Sequence, residues 1–186
     1  MTATVLLTLV PHESRWATAA DRDKHRVRRA LGDTCHDVHH VGSTSVPGLA
    51  ACPVVDLLAE VHSMAALHAA KLRLLAHGFV AQAEDAAHRR CYHVDDLVTR
   101  QRRVELHCYE AGHPEAVQLL ALYAYFRARP EVARSYEAIK REGRVRHARD
   151  VPAYLAAKRA WMGRMAEDAL AFWRAQRQEL PVVEVA

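Results

Sequence analysis

The sequence predicts an α/β domain of the α+β kind, a mixed β-sheet flanked by helices with a C-terminal helical segment. Three observations carry this. Segments of strand character crowd the chain before residue 113, and from Pro114 onward the apolar spacing is helical throughout. With 186 residues, 51% apolar and 26% charged, the chain can also bury an ordinary core without disulfides or structural metal. One domain over 1–186 is expected, β-rich over 1–112 and helical over 113–178.

The elements follow in order. "VLLTLV" (5–10) reads as a short β-like start. "ESRWATAADRDKHRVRRALG" (13–32) has apolar residues at helical spacing on a polar background, and Gly32 ends it, so a surface-docked helix is predicted. "CHDVHHVG" (35–42) is a strand running into a glycine turn. "CPVVDLLAEV" (52–61) is a more buried strand, because its apolar residues are continuous rather than alternating. "SMAALHAAKLRLLAHG" (63–78) is a helix with Ser63 as N-cap, Gly78 as stop, and Leu67, Leu72 and Leu75 on its apolar surface. Three close β-like runs follow, "GFVAQAE", "RRCYHVDD" and "RRVELHCYE". The last places Val104, Leu106 and Cys108 on one face and Arg103, Glu105 and His107 on the other. Helices are then expected over 114–129, over 130–146 and as one long element over about 151–177. Pro114 and Pro130 sit in first turns, and Asp150 caps the last helix. The tail "ELPVVEVA" reads as a frayed end or a short docked strand.

Composition narrows the function classes. Of 26 basic residues only four are Lys, and the Arg residues are scattered along helices with no aromatic-rich basic strand, so nucleic acid is not expected as a partner. Thirteen His residues would raise the positive charge steeply on mild acidification. Cys35, Cys52, Cys91 and Cys108 form no CxxC pair and no zinc-ribbon spacing. With no secretory leader and no bilayer-length apolar run, a reduced, cytoplasmic protein off the membrane is expected. The oligomeric state has no readable signature.

Chemistry concentrates in "HHVGSTSVPGLAACPVVDL" (39–57). Gly42, Ser43 and Thr44 make a small, backbone-rich turn of the sort whose N–H groups hold phosphate oxygens, or else simply a tight connection. Asp56 interrupts an apolar strand, where a carboxylate needs a metal, an Arg or backbone donors. His40 is a metal ligand or a core histidine, and His39 is expected to face the other way. Arg90, with Arg89, is an anion-binding fork or a surface ion-pair partner. Tyr136 with Lys140, and Tyr154 with Lys158, are i, i+4 pairs, each on one helix face.

"HHVGSTSVPGLAACPVVDLLAEV", "VELHCYE", "YFRARPEVARSYEAIKR" and "YLAAKRAW" together resemble the GrpB family, also called UPF0157, which is similar in fold to the nucleotidyltransferase superfamily. The resemblance covers nearly the whole chain. It implies that Asp56 stands where that superfamily places its first metal carboxylate. The second, two residues on, is Leu58 here, and Glu105 is the candidate for the third. In the family the later strand usually reads as a His-Leu-His segment, so Glu105 replaces a histidine and moves the site toward oxygen-preferring metals. Lys140 and Lys158 match lysines typical of the family. Leu122, Tyr123 and Ala124 stand where a Phe-Arg-Asp triplet is common, so two polar groups are gone.

These readings give three functional expectations. One is a nucleotide or other anionic phosphorylated small molecule bound between the sheet and the C-terminal helices, with Gly42, Ser43, Thr44, Arg90, Lys140, Tyr154 and Lys158 as contacts. In it Asp56 and Glu105 hold Mg²⁺ or Mn²⁺, His107 is a base or ligand, and any reaction is nucleotidyl transfer from a nucleoside triphosphate to a small acceptor. The second is a transition-metal enzyme with Zn²⁺ or Fe²⁺ on His40, Asp56, Glu105 and His107. The third is a non-catalytic binding module.

Overall fold

A strand that is apolar on both faces needs neighbours on both edges and cover on both sides, and Val55–Val61 (β2) has this place. The computed structural model describes residues 8–83, 86–147 and 150–178, so the first half of the "VLLTLV" start and the whole tail fall outside the described residues. Five strands, Cys35–Val41 (β1), β2, Val80–Ala81 (β3), Arg89–Asp95 (β4) and Arg102–Glu110 (β5), form one sheet in the order β1-β2-β5-β4-β3. β2 is antiparallel to β1 and parallel to β5, while β4 is antiparallel to both β5 and β3, so the sheet is mixed as expected. Within β2 only Asp56 escapes full burial.

The alternation in β5 is as predicted from Val104 to Cys108, whereas Arg103, expected on the face of Glu105 and His107, sits where the β4–β5 register slips and reaches Asp23 on the other side. Val104, Leu106 and Cys108 are buried and join Val38, Leu57, Ala59, Val61, Tyr92 and Val94 on one face of the sheet. That face is covered by Arg15–Leu31 (α1), through Val27, Ala30 and Leu31, and by Met64–Ala76 (α2), through Leu67, Ala70 and Leu74. The inward stripe of α2 is therefore Leu67-Ala70-Leu74, and the expected Leu72 and Leu75 point outward, Leu72 with 77% exposure. A small Ala at the middle of the stripe lets α2 approach the sheet, and that choice outranks side-chain size. Ser63 caps α2 by accepting the Ala66 N–H at 3.1 Å.

The polar background of α1 hides one buried charge. Asp23 is 1% exposed and receives two hydrogen bonds from Arg103 of β5, at 2.6 and 3.3 Å, with Arg26 at 3.6 Å and Arg22 at 3.8 Å. Helix and sheet are thus joined by a charge pair as well as by apolar packing.

The chain divides at Val117/Gln118 into a sheet unit and a helical unit. Pro114–Ala128 (α3) crosses that boundary, and Pro130–Arg146 (α4), Val151–Arg164 (α5) and Ala166–Gln178 (α6) follow. The single long C-terminal helix is corrected to two, because the helix ends at Met165 and α6 starts anew at Ala166. Asp150 caps α5 through the Ala153 N–H at 2.9 Å, as expected. The helical unit is held by stacked rings, Phe126 on Tyr136 at 5.1 Å and Tyr136 on Trp161 at 5.4 Å, with Tyr123 edge-on to Phe126. No helix among the described residues is long and apolar enough to cross a membrane.

Burial leaves a mark on the thiols. It pushes Cys108 far above the ordinary thiol value and also raises Cys35 and Cys91. Each keeps its proton in the fold when the unfolded chain has lost it. This part of the stability is therefore intact below the ordinary value of 9.0 and falls as pH rises through it. The melting temperature is expected to drop between about pH 9 and pH 10, and Cys108→Ala to flatten that drop. An identical slope in the variant would contradict it.

Candidate functional site

The site is built at the end of β1. Val41 pairs with Asp56, and the chain then turns through Gly42 into one 3₁₀ turn, Ser43–Ser45. Gly42 has φ 74° and ψ 177°, a conformation that essentially only glycine adopts. A Cβ at this position would lie 2.0 Å from Oδ2 of Asp56 and 2.6 Å from its Cγ. The carboxylate therefore packs against bare backbone, and the turn sits directly on it. The Gly42 carbonyl accepts the Ser45 N–H at 3.1 Å and the Ser45 hydroxyl at 2.8 Å, which closes the turn.

Register brings further groups to the same face. Asp56 pairs with Glu105, and Leu58 with His107, across the parallel β2–β5 ladder, and paired residues share a face. Cys91 pairs with His107 and His93 with Glu105 across β4–β5, and on the other side His39 pairs with Leu58. Glu105 is engaged by the side-chain amide of Gln82 and by Arg102 at 2.5 Å. His107 Nδ1 lies 3.3 Å from the Cys91 Sγ. His39 Nε2 is 3.0 Å from Oε2 of Glu60, whose other oxygen accepts the Gly112 N–H at 3.1 Å.

The structure thus brings Asp56, Glu105 and His107 to one face of the sheet with the turn of Gly42, Ser43 and Thr44 at its end, and it puts His40 on the other face, where it meets only the Thr44 hydroxyl of this group. His40 pairs with Leu57 and so belongs to the helix-covered face. The two histidines do face opposite ways, but it is His39 that shares the face of Asp56. The expected metal set His40, Asp56, Glu105 and His107 is corrected accordingly. Among the described residues no group of three or more His, Cys, Asp or Glu is gathered to hold a metal ion. Leu58, fully buried, occupies the rung where a second carboxylate would stand.

Arg90 is corrected as well. It pairs with Cys108 on the helix-covered face, and its guanidinium donates to the carbonyls of Ala86 and Arg89, each at 2.8 Å. Arg89 is the arginine on the site face, opposite Tyr109. In the helical unit, Lys140 is 2% exposed with its ammonium 4.9 Å from the Tyr136 ring centroid, so the i, i+4 pair is a cation–π contact. Tyr154 lies against Gly143, where an added Cβ would meet its ring at 3.2 Å, and Lys158 is half-buried. Tyr123, at the position of the missing Arg, is buried edge-on to Phe126, and Ala124, at the position of the missing Asp, is half-buried.

Three residues on the site face carry no functional reading in the sequence: Gln82, Cys91 and His93. The alternation Arg89-Cys91-His93 in "RRCYHVDD" is the signal that could have found the last two. His93 is notable because its Nδ1 is buried and, among the described residues, has no hydrogen-bond partner.

The family model described as GrpB protein matches residues 6–168. The chain belongs to the GrpB family. The UPF0157 protein YqkA of Bacillus subtilis is 30% identical over 169 residues, which cover 91% of this chain and 48% of YqkA, so the chain spans about half the length of that GrpB-like relative. The crystal structure of GrpB from Enterococcus faecalis superposes with a TM-score of 0.80 at 24% identity, covering 89% of this chain and 99% of that one. The Cid1 poly(U) polymerase, in a structure described as MgGTP bound, gives a TM-score of 0.55 at 15% identity over 79% of this chain and 50% of its own. The GrpB fold of this chain is therefore nucleotidyltransferase-like, as the sequence led us to expect.

Proposed function

We propose that the sheet unit binds the phosphate tail of a nucleotide, or of another phosphorylated small molecule, at the Gly42–Ser45 turn, with a divalent cation shared between the phosphates and Asp56. The observation that carries this is the seating of the turn on the carboxylate: Gly42 leaves no room for a side chain between backbone and Asp56. Turn amides suit phosphate oxygens, and a carboxylate in contact with them suits the cation that such phosphates bring. The relation in fold to a polymerase whose structure is described as MgGTP bound supports the same ligand class.

A resident metal centre fits less well. Glu105 already answers Gln82 and Arg102, and Leu58 offers no ligand, so the residues present do not make a two-carboxylate centre. Ligand binding is the reading the geometry supports best. Nucleotidyl transfer to a small acceptor would first require Glu105 to leave Arg102.

Titration calorimetry with Mg²⁺ and ATP tests this. Asp56→Asn keeps the shape and removes the charge, so it is expected to weaken Mg²⁺-dependent ATP binding at least about tenfold while the melting temperature stays within a few degrees. A large loss of stability with affinity intact would make Asp56 a structural partner and reject the proposal.

A further inference from the structure

We infer that His40 is a positioning residue for the phosphate-binding turn, acting through Thr44. The sequence leaves His40 open between metal ligand and core histidine, and register removes it from the metal side. Thr44, in the middle of the turn and 2% exposed, has its hydroxyl 3.3 Å from the carbonyl of Val54, to which it donates. Its oxygen lies 3.0 Å from Nε2 of His40. The hydroxyl has a single proton, and Val54 takes it, so the imidazole is the donor in the second contact and carries its proton on Nε2.

The result is a directed chain of hydrogen bonds from β1 (His40) through the turn (Thr44) to the residue that leads into β2 (Val54). It runs on the helix-covered side, beneath the turn, while Asp56 meets the turn at Gly42 on the other side. The turn is thus held at two points, one polar and buried, one a steric contact with the carboxylate. A buried hydroxyl tied at both its donor and acceptor positions has little freedom, and a pre-set turn loses less entropy when an anion binds.

This inference rests on the proposed phosphate site, and the test separates the two. With Mg²⁺ and ATP as the probe, Thr44→Val, which keeps shape and loses the hydroxyl, is expected to weaken binding about tenfold, and His40→Phe to do the same. Thr44→Ser, which keeps the hydroxyl, should stay within about twofold of the unaltered protein. A merely space-filling Thr44 would give the opposite ranking, with Val tolerated and Ser impaired, and that ranking overturns the inference.

If the unaltered protein binds no ATP, the phosphate site is rejected, and the His40 assignment is read from nuclear magnetic resonance instead. The His40 ring is expected to carry its proton on Nε2, and the Ser45 and Val46 amides, which close the turn, to exchange at least about tenfold faster in Thr44→Val. A proton on Nδ1 alone, or unchanged exchange, overturns the positioning role.

Discussion

Gly42→Ala is expected to be the most damaging single methyl group that can be added to the sheet unit. Two costs combine. The added Cβ lands 2.0 Å from Oδ2 of Asp56, and the backbone at φ 74°, ψ 177° is one that an alanine scarcely populates. Strain of this kind costs about 1–3 kcal/mol and overpacking about 1–3 kcal/mol, so a loss of roughly 2–6 kcal/mol follows. For a chain of this size that is a fall of the order of 10 °C in melting temperature. ATP binding should be lost with it, because relief of the clash means moving either the turn or the carboxylate. A melting point within about 2 °C of the original would show that the turn is not seated on Asp56 as described.

Asp23→Ala is expected to have the second largest effect, at the opposite face of the sheet. Removing the carboxylate strands Arg103, whose two hydrogen bonds both go to it, beside Arg22 and Arg26. Breaking such a pair by deleting one partner costs about 3–5 kcal/mol, because a partly buried charge loses its counter-charge. Chemical denaturation measures it directly. The pair Asp23→Ala with Arg103→Met should recover part of the loss, since neither charge is then left alone. If the double variant is no more stable than the sum of the two single ones, α1 is docked by apolar contact alone.

Much of the fold was legible because the signals were periodic. The alternation in "RRVELHCYE" placed Glu105 and His107 on one face correctly, and the largely apolar, non-alternating run of β2 announced a buried strand. Caps at Ser63 and Asp150 were equally readable, since each is a local contact between a side chain and a nearby amide. Errors arose where a decision depended on partners far away in the chain. Which of His39 and His40 faces Asp56 is set by the β1–β2 register, and two adjacent histidines carry no register of their own. The inward stripe of α2 went to a small Ala rather than to Leu72 because the sheet behind it, not the helix, fixes the spacing. Asp23 stayed hidden in α1, since a polar helix gives no sign of which carboxylate will meet an arginine eighty positions later.

The parallel pairing of β2 with β5 also bears on how the molecule comes together. Val55 finds Val104 across roughly fifty positions of chain, whereas Asp95 and Arg102 of the β4–β5 hairpin are neighbours across a short turn. Closing the longer loop costs about 1.7 kcal/mol more in chain entropy, and it brings no reward until β5 is already formed against β4. The rung that joins Asp56 to Glu105 thus belongs to the late, cooperative stage of folding. A chain caught before that stage can already seat the Gly42 turn on Asp56, since β1 and β2 pair locally, but has not yet brought Glu105 and His107 beside it.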